Sequence, residues 1–159
     1  MAEEQALLRM MQQYGAHVVG LCTLLLKDAH LAQDVAQEVF IRAWKQGNLR
    51  QETEKAWLTR VAVNLCRDEQ RSRWFRHVDR RITLEELPSQ ADAPDTDSDL
   101  LDSVHRLPAR EREVIVMRYW NDMSPEEIAA LLNINRATVF RRLSRGRKQL
   151  KIELEGGSE

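Results

Sequence analysis

Hydrophobic residues recur at three- and four-residue spacing through most of the chain, the mark of amphipathic helices rather than strands. In the first stretch Leu7, Met10, Met11, Tyr14, Val18, Leu21, Cys22 and Leu25 define one apolar stripe, with a break expected near Gly15, before Lys27-Asp28 interrupts it. A second helix is predicted from about His30 to Gln46. Leu31, Val35, Val39, Phe40, Ala43 and Trp44 form its buried stripe, while Asp34, Gln37, Glu38, Arg42 and Lys45 form its outer face. Gly47-Asn48 ends it, and after a short loop with Arg50, Gln51 and Glu52 a third helix is predicted from near Thr53. There Trp57, Leu58, Val61, Ala62, Leu65 and Cys66 face inward and Arg60, Asn64, Arg67 and Arg71 outward, a basic stripe backed by a core.

Beyond that helix, Arg71-Ser72-Arg73-Trp74-Phe75-Arg76-His77 interleaves aromatics with arginine. Such a composition suits single-stranded nucleic acid, whose bases stack on aromatic faces while guanidiniums hold phosphates. Core residues at a helix end explain Trp74 and Phe75 equally well. Further on, Leu107-Pro108-Ala109-Arg110 opens a helix with Val114, Ile115, Met117, the Arg118 stem and Tyr119 expected inward. Ser124-Pro125-Glu126-Glu127 then has the form of a capping box with proline in the first helical position, and Ile128, Ala129, Leu131 and Leu132 give its helix an apolar face. After an Asn133-Ile134 turn, Asn135 is placed to cap a last helix with Val139, Leu143, Gly146 and Leu150 on one side. Its other side carries Arg136, Phe140, Arg141, Ser144, Arg145 and Lys148. A short capped helix, a tight turn and a basic amphipathic helix together make a helix-turn-helix, whose second helix enters the DNA major groove.

Charge alters the picture only when it is read by segment. The 159 residues carry 24 Lys+Arg against 25 Asp+Glu, a net charge of −1, which by itself disfavours a nucleic-acid binder. Yet from Lys55 to Arg81 eight basic residues oppose three acidic ones, and from Arg110 to Lys151 ten oppose five, so each stretch stands at +5. Between Glu85 and Asp102 there are seven acids and no Lys or Arg. With Pro88, Ser89, Pro94, Thr96 and Ser98 and few large apolar residues, this segment reads as an acidic flexible linker able to span roughly 60 Å when extended. The expected fold class is therefore all-α, with two small helical domains at 1–84 and 103–155 joined by the linker 85–102.

Other chemistries find little footing. Cys22 and Cys66 are far apart and lack metal-ligand spacing, so both are expected to be core thiols. His17, His30, His77 and His105 are scattered, Glu38 has no ligand partner at a useful spacing, and no glycine-rich phosphate loop is present. No enzyme activity, cofactor, metal or small-molecule substrate is expected. No apolar run approaches the ~20 residues of a membrane span, and Met1-Ala2-Glu3-Glu4 lacks the basic start of a signal peptide, so the expected location is the cytoplasm.

Four segments together carry a family resemblance. Asp34-Val35-Ala36-Gln37-Glu38-Val39-Phe40-Ile41-Arg42-Ala43-Trp44, the run from Ala56 to Asp68, Leu107-Pro108, and the run from Thr138 to Arg147 resemble, in order, the extracytoplasmic-function (ECF) sigma factors of bacterial RNA polymerase. The resemblance implies that 1–84 is sigma region two, that 103–155 is sigma region four, and that the chain directs promoter-specific initiation. It implies as partners core RNA polymerase, through the β′ coiled coil and the β flap, promoter DNA, and an anti-sigma factor. On this resemblance Asp34, Gln37, Glu38 and Arg42 dock on the coiled coil. The loop 47–54, with Leu49 and Arg50 near its centre, receives a base flipped out of the minus-ten element. Arg60, Asn64, Arg67 and Arg71 hold the separated strand. Phe140, Arg141, Ser144 and Arg145 match the base-facing positions for the minus-thirty-five element, and Arg136, Thr138, Arg142, Arg147 and Lys148 mostly hold phosphates. Phe140 stands where the family usually has a basic residue, and an apolar ring there can meet a thymine methyl or an inhibitor. A stand-alone helix-turn-helix regulator accounts for residues 108 to 151 but leaves the N-terminal motifs unexplained.

Overall fold

The computed structural model describes the backbone of residues 2–79 and 98–157 and the side chains of residues 4–71 and 99–151. Among these residues every regular element is helical. The chain divides into two units, Met1–Pro94 and Asp95–Glu159.

In the first unit α1 (Ala2–Leu25), α2 (Ala29–Gln46) and α3 (Glu54–Asp79) each pack on the other two, with a 3-10 turn at Gln51–Thr53 leading into α3. Val18, Leu21, Cys22, Leu25, Val39, Leu58, Ala62 and Cys66 are sealed in the core. Both cysteines are free thiols there. The break expected near Gly15 does not occur. The helix runs through it, because one glycine costs only about 1 kcal/mol and the apolar stripe continues on both sides. Asp28 caps α2, its Oδ1 accepting from the His30 and Leu31 amides at 3.0 Å, so the helix starts one residue before the predicted His30. Gly47 (φ 62°) ends α2 with its amide donating to the Ala43 carbonyl, and Asn48 (φ 53°) prolongs the turn. Trp44 was expected in the core but is 49% exposed. Its stripe reaches the end of the three-helix core at Ala43, and Trp44 instead walls a cleft beside the N-terminal turns of α1. Met11 is likewise exposed.

In the second unit α7 (Arg136–Gly157) lies against α4 (Ser98–Arg106), α5 (Ala109–Tyr119) and α6 (Pro125–Leu132). Val104, Leu107, Val114, Ile115, Met117, Ile128, Leu132, Val139 and Leu143 make its core. Residues 98–102, assigned to the linker by composition, are the beginning of α4. Val104 is buried and Leu101 half-buried while Asp99 and Asp102 stay exposed, and Asp99, in the first turn, is favoured by the positive end of the helix dipole. The rest of the linker, residues 85–97, and the boundary at 84 lie outside the described residues. So do the side chains of the aromatic-arginine stretch beyond Arg71.

α5 is buried more fully than its periodicity indicates, with Arg112 and Glu113 inside alongside Val116. Arg112 Nη2 donates to the carbonyls of His105 (3.2 Å) and Leu107 (2.9 Å), closing the C-terminal end of α4. Burial pushes the Arg112 guanidinium's pKa down, opposed by the charge of Glu113, yet an arginine remains a cation. Tyr119, expected inward, is 58% exposed at the last residue of α5, two positions beyond the buried Met117. Its hydroxyl accepts a hydrogen bond from Arg147 Nη1 at 2.7 Å.

Candidate nucleic-acid interface

The α6–turn–α7 unit is set by local chemistry. Ser124 Oγ accepts from the Glu127 amide at 3.1 Å and Glu127 Oε1 from the Ser124 amide at 2.8 Å, with Pro125 at the first helical position. Asn133, in the left-handed region (φ 58°), closes α6, and the Ile134 amide returns to the Ala129 carbonyl at 3.1 Å. Asn135 Oδ1 accepts from the Thr138 amide (2.9 Å) and hydroxyl (3.0 Å), and the Thr138 hydroxyl accepts from Arg141 Nη2 at 3.2 Å. Caps at both ends of so short a connection fix the direction of α7.

Along α7 the predicted division of faces is present. Val139, Leu143 and Gly146 are buried; Phe140, Arg141, Ser144, Arg145, Arg147 and Lys148 are exposed; Thr138 and Arg142 lie half-buried on the flanks. Most of these cations project from a helix whose opposite side is packed, as a groove-reading helix requires. Arg136, expected among the phosphate ligands, is also engaged within the unit. Its Nε donates to Glu126 Oε2 at 2.8 Å, and its guanidinium carbon lies 5.3 Å from the centre of the Phe140 ring.

In the first unit Arg60, Asn64 and Arg71 are exposed and Arg67 half-buried, and their steps of four, three and four residues align them along one stripe of α3. The loop before α3 borders a cleft of about 250 Å³ walled by Arg9 and Met10 of α1, Trp44 of α2, and Asn48, Leu49 and Glu54. Leu49 lines the cleft, whereas Arg50 is exposed and its carbonyl accepts from Thr53.

The floor of the cleft holds a pair that the sequence reading missed. Glu54 is 2% exposed, and Arg9 grips it with two parallel hydrogen bonds, Nη1 to Oε1 at 3.1 Å and Nη2 to Oε2. The hydrogen bond to Glu54 raises the Arg9 pKa, with burial opposing. One signal was available: Glu54 falls four residues before Leu58 and so occupies the inward register of α3.

On α2, Asp34, Gln37 and Arg42 are exposed and Glu38 half-buried, with Arg42 Nε donating to Glu38 Oε2 at 3.0 Å. Ile41, 42% exposed, lies among them and adds an apolar centre to a polar face.

Family comparison follows the same division. A sigma-70 region 2 model matches residues 10–76, and a sigma-70 region 4 model matches residues 98–150. The ECF RNA polymerase sigma factor SigL of Mycobacterium tuberculosis is 33% identical over 163 residues, covering 97% of this chain and 92% of that protein. The chain belongs to the ECF sigma factors. SigW of Bacillus subtilis, another ECF sigma factor, is 31% identical over 158 residues, covering 89% of this chain and 84% of that one. The fold of this ECF sigma factor matches RpoE of Bartonella quintana, solved with the anti-sigma factor NepR, at a TM-score of 0.73 and 24% identity over 96% of each chain. It also matches CnrH, solved with the cytosolic domain of CnrY, at 0.66 and 22% identity over 96% of this chain and 90% of that one. As a member of the family the protein binds core RNA polymerase and promoter DNA and confers promoter-specific initiation. Among the described residues no helix is long and apolar enough to cross a membrane.

Proposed function

We propose that the two units of this ECF sigma factor divide promoter recognition, residue by residue, as follows. Asp34, Gln37, Glu38 and Arg42 on α2 dock on the β′ coiled coil, and the second unit meets the β flap. The loop 47–54 takes up an unstacked minus-ten base, with Leu49 at the cleft and Arg50 on the outside. Arg60, Asn64, Arg67 and Arg71 hold the opened strand. On α7, Arg141, Ser144 and Arg145 face minus-thirty-five bases, and Thr138, Arg142, Arg147 and Lys148 hold phosphates. Arginine reads guanine through two acceptors, while phosphate contacts mainly fix register.

The observation that carries the reading is α7 itself, a helix capped at its N-terminus by Asn135, with a packed apolar side and a face of cations. Opening a duplex costs a few kcal/mol per unstacked base, and a cleft beside a basic stripe offsets that cost. The protein performs no catalytic step and works in the cytoplasm beside the polymerase. An anti-sigma factor holds it in check, as NepR accompanies RpoE.

In vitro transcription with core polymerase tests this. Added alone to core, the chain should give specific start sites. Dependence on a second sigma factor would instead make it a stand-alone helix-turn-helix regulator.

A further inference from the structure

Phe140 is the one large apolar side chain exposed on α7 among the described residues, 42% exposed amid Arg136, Arg141 and Arg145. Its ring is not loose. The Arg136 guanidinium covers it at 5.3 Å, and that guanidinium is itself anchored by a 2.8 Å hydrogen bond to Glu126. Glu126 is held in turn. It follows Pro125 directly after the Ser124 cap, in the first turn of α6, where a carboxylate is favoured by the helix dipole. Three side chains from two capped helices thus form one stack, carboxylate to guanidinium to ring. Stacking on an aromatic face while pairing with a carboxylate uses both the planarity and the donors of arginine.

A ring covered by a cation on one side has its remaining surface free for a partner. Along the edges of DNA bases in the major groove, the apolar group is the 5-methyl of thymine. We propose that Glu126 and Arg136 are positioning residues that hold Phe140 as a fixed platform for a thymine methyl in the upstream promoter element. The proposal rests on assigning α7 to that element. It gives Arg136 a role in orienting a reader rather than in neutralising a phosphate. It also gives Glu126, an acid on a DNA-facing unit, a reason to be there.

Burying one methyl group is worth about a fourfold preference. Full-length protein bound to core polymerase is used to select from duplexes randomised across the upstream element, prepared in parallel with thymine and with uracil, which lacks only the methyl. The native protein should enrich thymine about fourfold at one position, and the preference should vanish in the uracil pool. Phe140→Ala should abolish it. Glu126→Gln keeps the size of the side chain and leaves the Ser124–Glu127 box intact. It should reduce the preference below twofold while the other positions of the motif stay enriched, and Arg136→Lys should reduce the preference likewise.

A preference that survives in uracil, a motif with no thymine-selective position, or full discrimination in Glu126→Gln would overturn the proposal. Enrichment of no motif at all by the native holoenzyme would overturn the promoter-recognition reading as well, which separates the two failures.

Discussion

Replacing Gly146 by alanine sets two effects of known sign against each other inside α7, the second helix of the helix-turn-helix. In a free helix the change stabilises by about 1 kcal/mol, since glycine gives up more backbone entropy on folding. Here α7 passes so close to α5 that an added Cβ would stand 2.6 Å from Ile115 Cγ1, 3.0 Å from Ile115 Cδ1 and 3.6 Å from Glu111 Cβ. Ile115 is 4% exposed and β-branched, and Cγ1 sits one bond from its Cβ, so the contact cannot be relieved by swinging the end of the side chain. Overpacking of this kind costs about 1–3 kcal/mol. The clash therefore wins by about 1 kcal/mol, and for a unit of this size the melting temperature should fall by about 4–8 °C.

Segment-resolved hydrogen exchange on the full chain, read at the α5 and α7 amides, isolates the second unit from the first. In an Ile115→Ala background, where both obstructing carbons are gone, Gly146→Ala should change sign and stabilise by about 1 kcal/mol. A coupling of about 2 kcal/mol lies within the range seen for residues in contact. Stabilisation by Gly146→Ala in the native background, or the same effect in both backgrounds, would refute the argument that the approach of α7 to α5 is what requires glycine.

Three further outcomes are expected. Ser124→Ala should remove the side-chain half of the capping box and lower the exchange protection of α6 by about 1 kcal/mol, with α1 to α3 unaffected. Asp34→Ala combined with Glu38→Ala should weaken binding to core polymerase, measured by competition with another sigma factor, while circular dichroism stays unchanged; undiminished affinity would remove that face from the interface. Glu54→Gln should speed exchange in the loop 47–53 and reduce permanganate-detected opening of the minus-ten region severalfold while leaving upstream binding intact. Equal loss of both would reduce Glu54 to a general folding role.

The parts legible in the sequence were those specified by neighbours a few residues apart. The Ser124–Glu127 box, the Asn135 cap and the Val139, Leu143, Gly146 stripe are written in turn chemistry and helical period, and each lies where expected. Period alone does not tell where a helix outruns its partners, which is why Trp44 and Tyr119, both at helix ends, were expected inside and are exposed. Composition concealed the start of α4, because acids that look like linker are also at home in a first helical turn. The Arg9–Glu54 pair, across 45 residues, and the Glu126–Arg136 ion pair join different helices, and no local rule reports on such pairings, whereas Arg136 and Phe140 lie four apart on α7 and follow the helical period.

Arg9 and Glu54 also limit how descendants of this sequence can diverge. A buried carboxylate deprived of its guanidinium is far more damaging than the loss of both groups to well-packed apolar side chains, which is often neutral or better. Arg9 is thus close to frozen while Glu54 stands, whereas Arg9, its side chain 37% exposed, reaches water if Glu54 is lost. Related sequences that keep Glu54 should keep Arg9, and chains with Glu54 alone should be rare. Exchange at the floor of the cleft should therefore begin with Glu54, and Arg9 is released only afterwards.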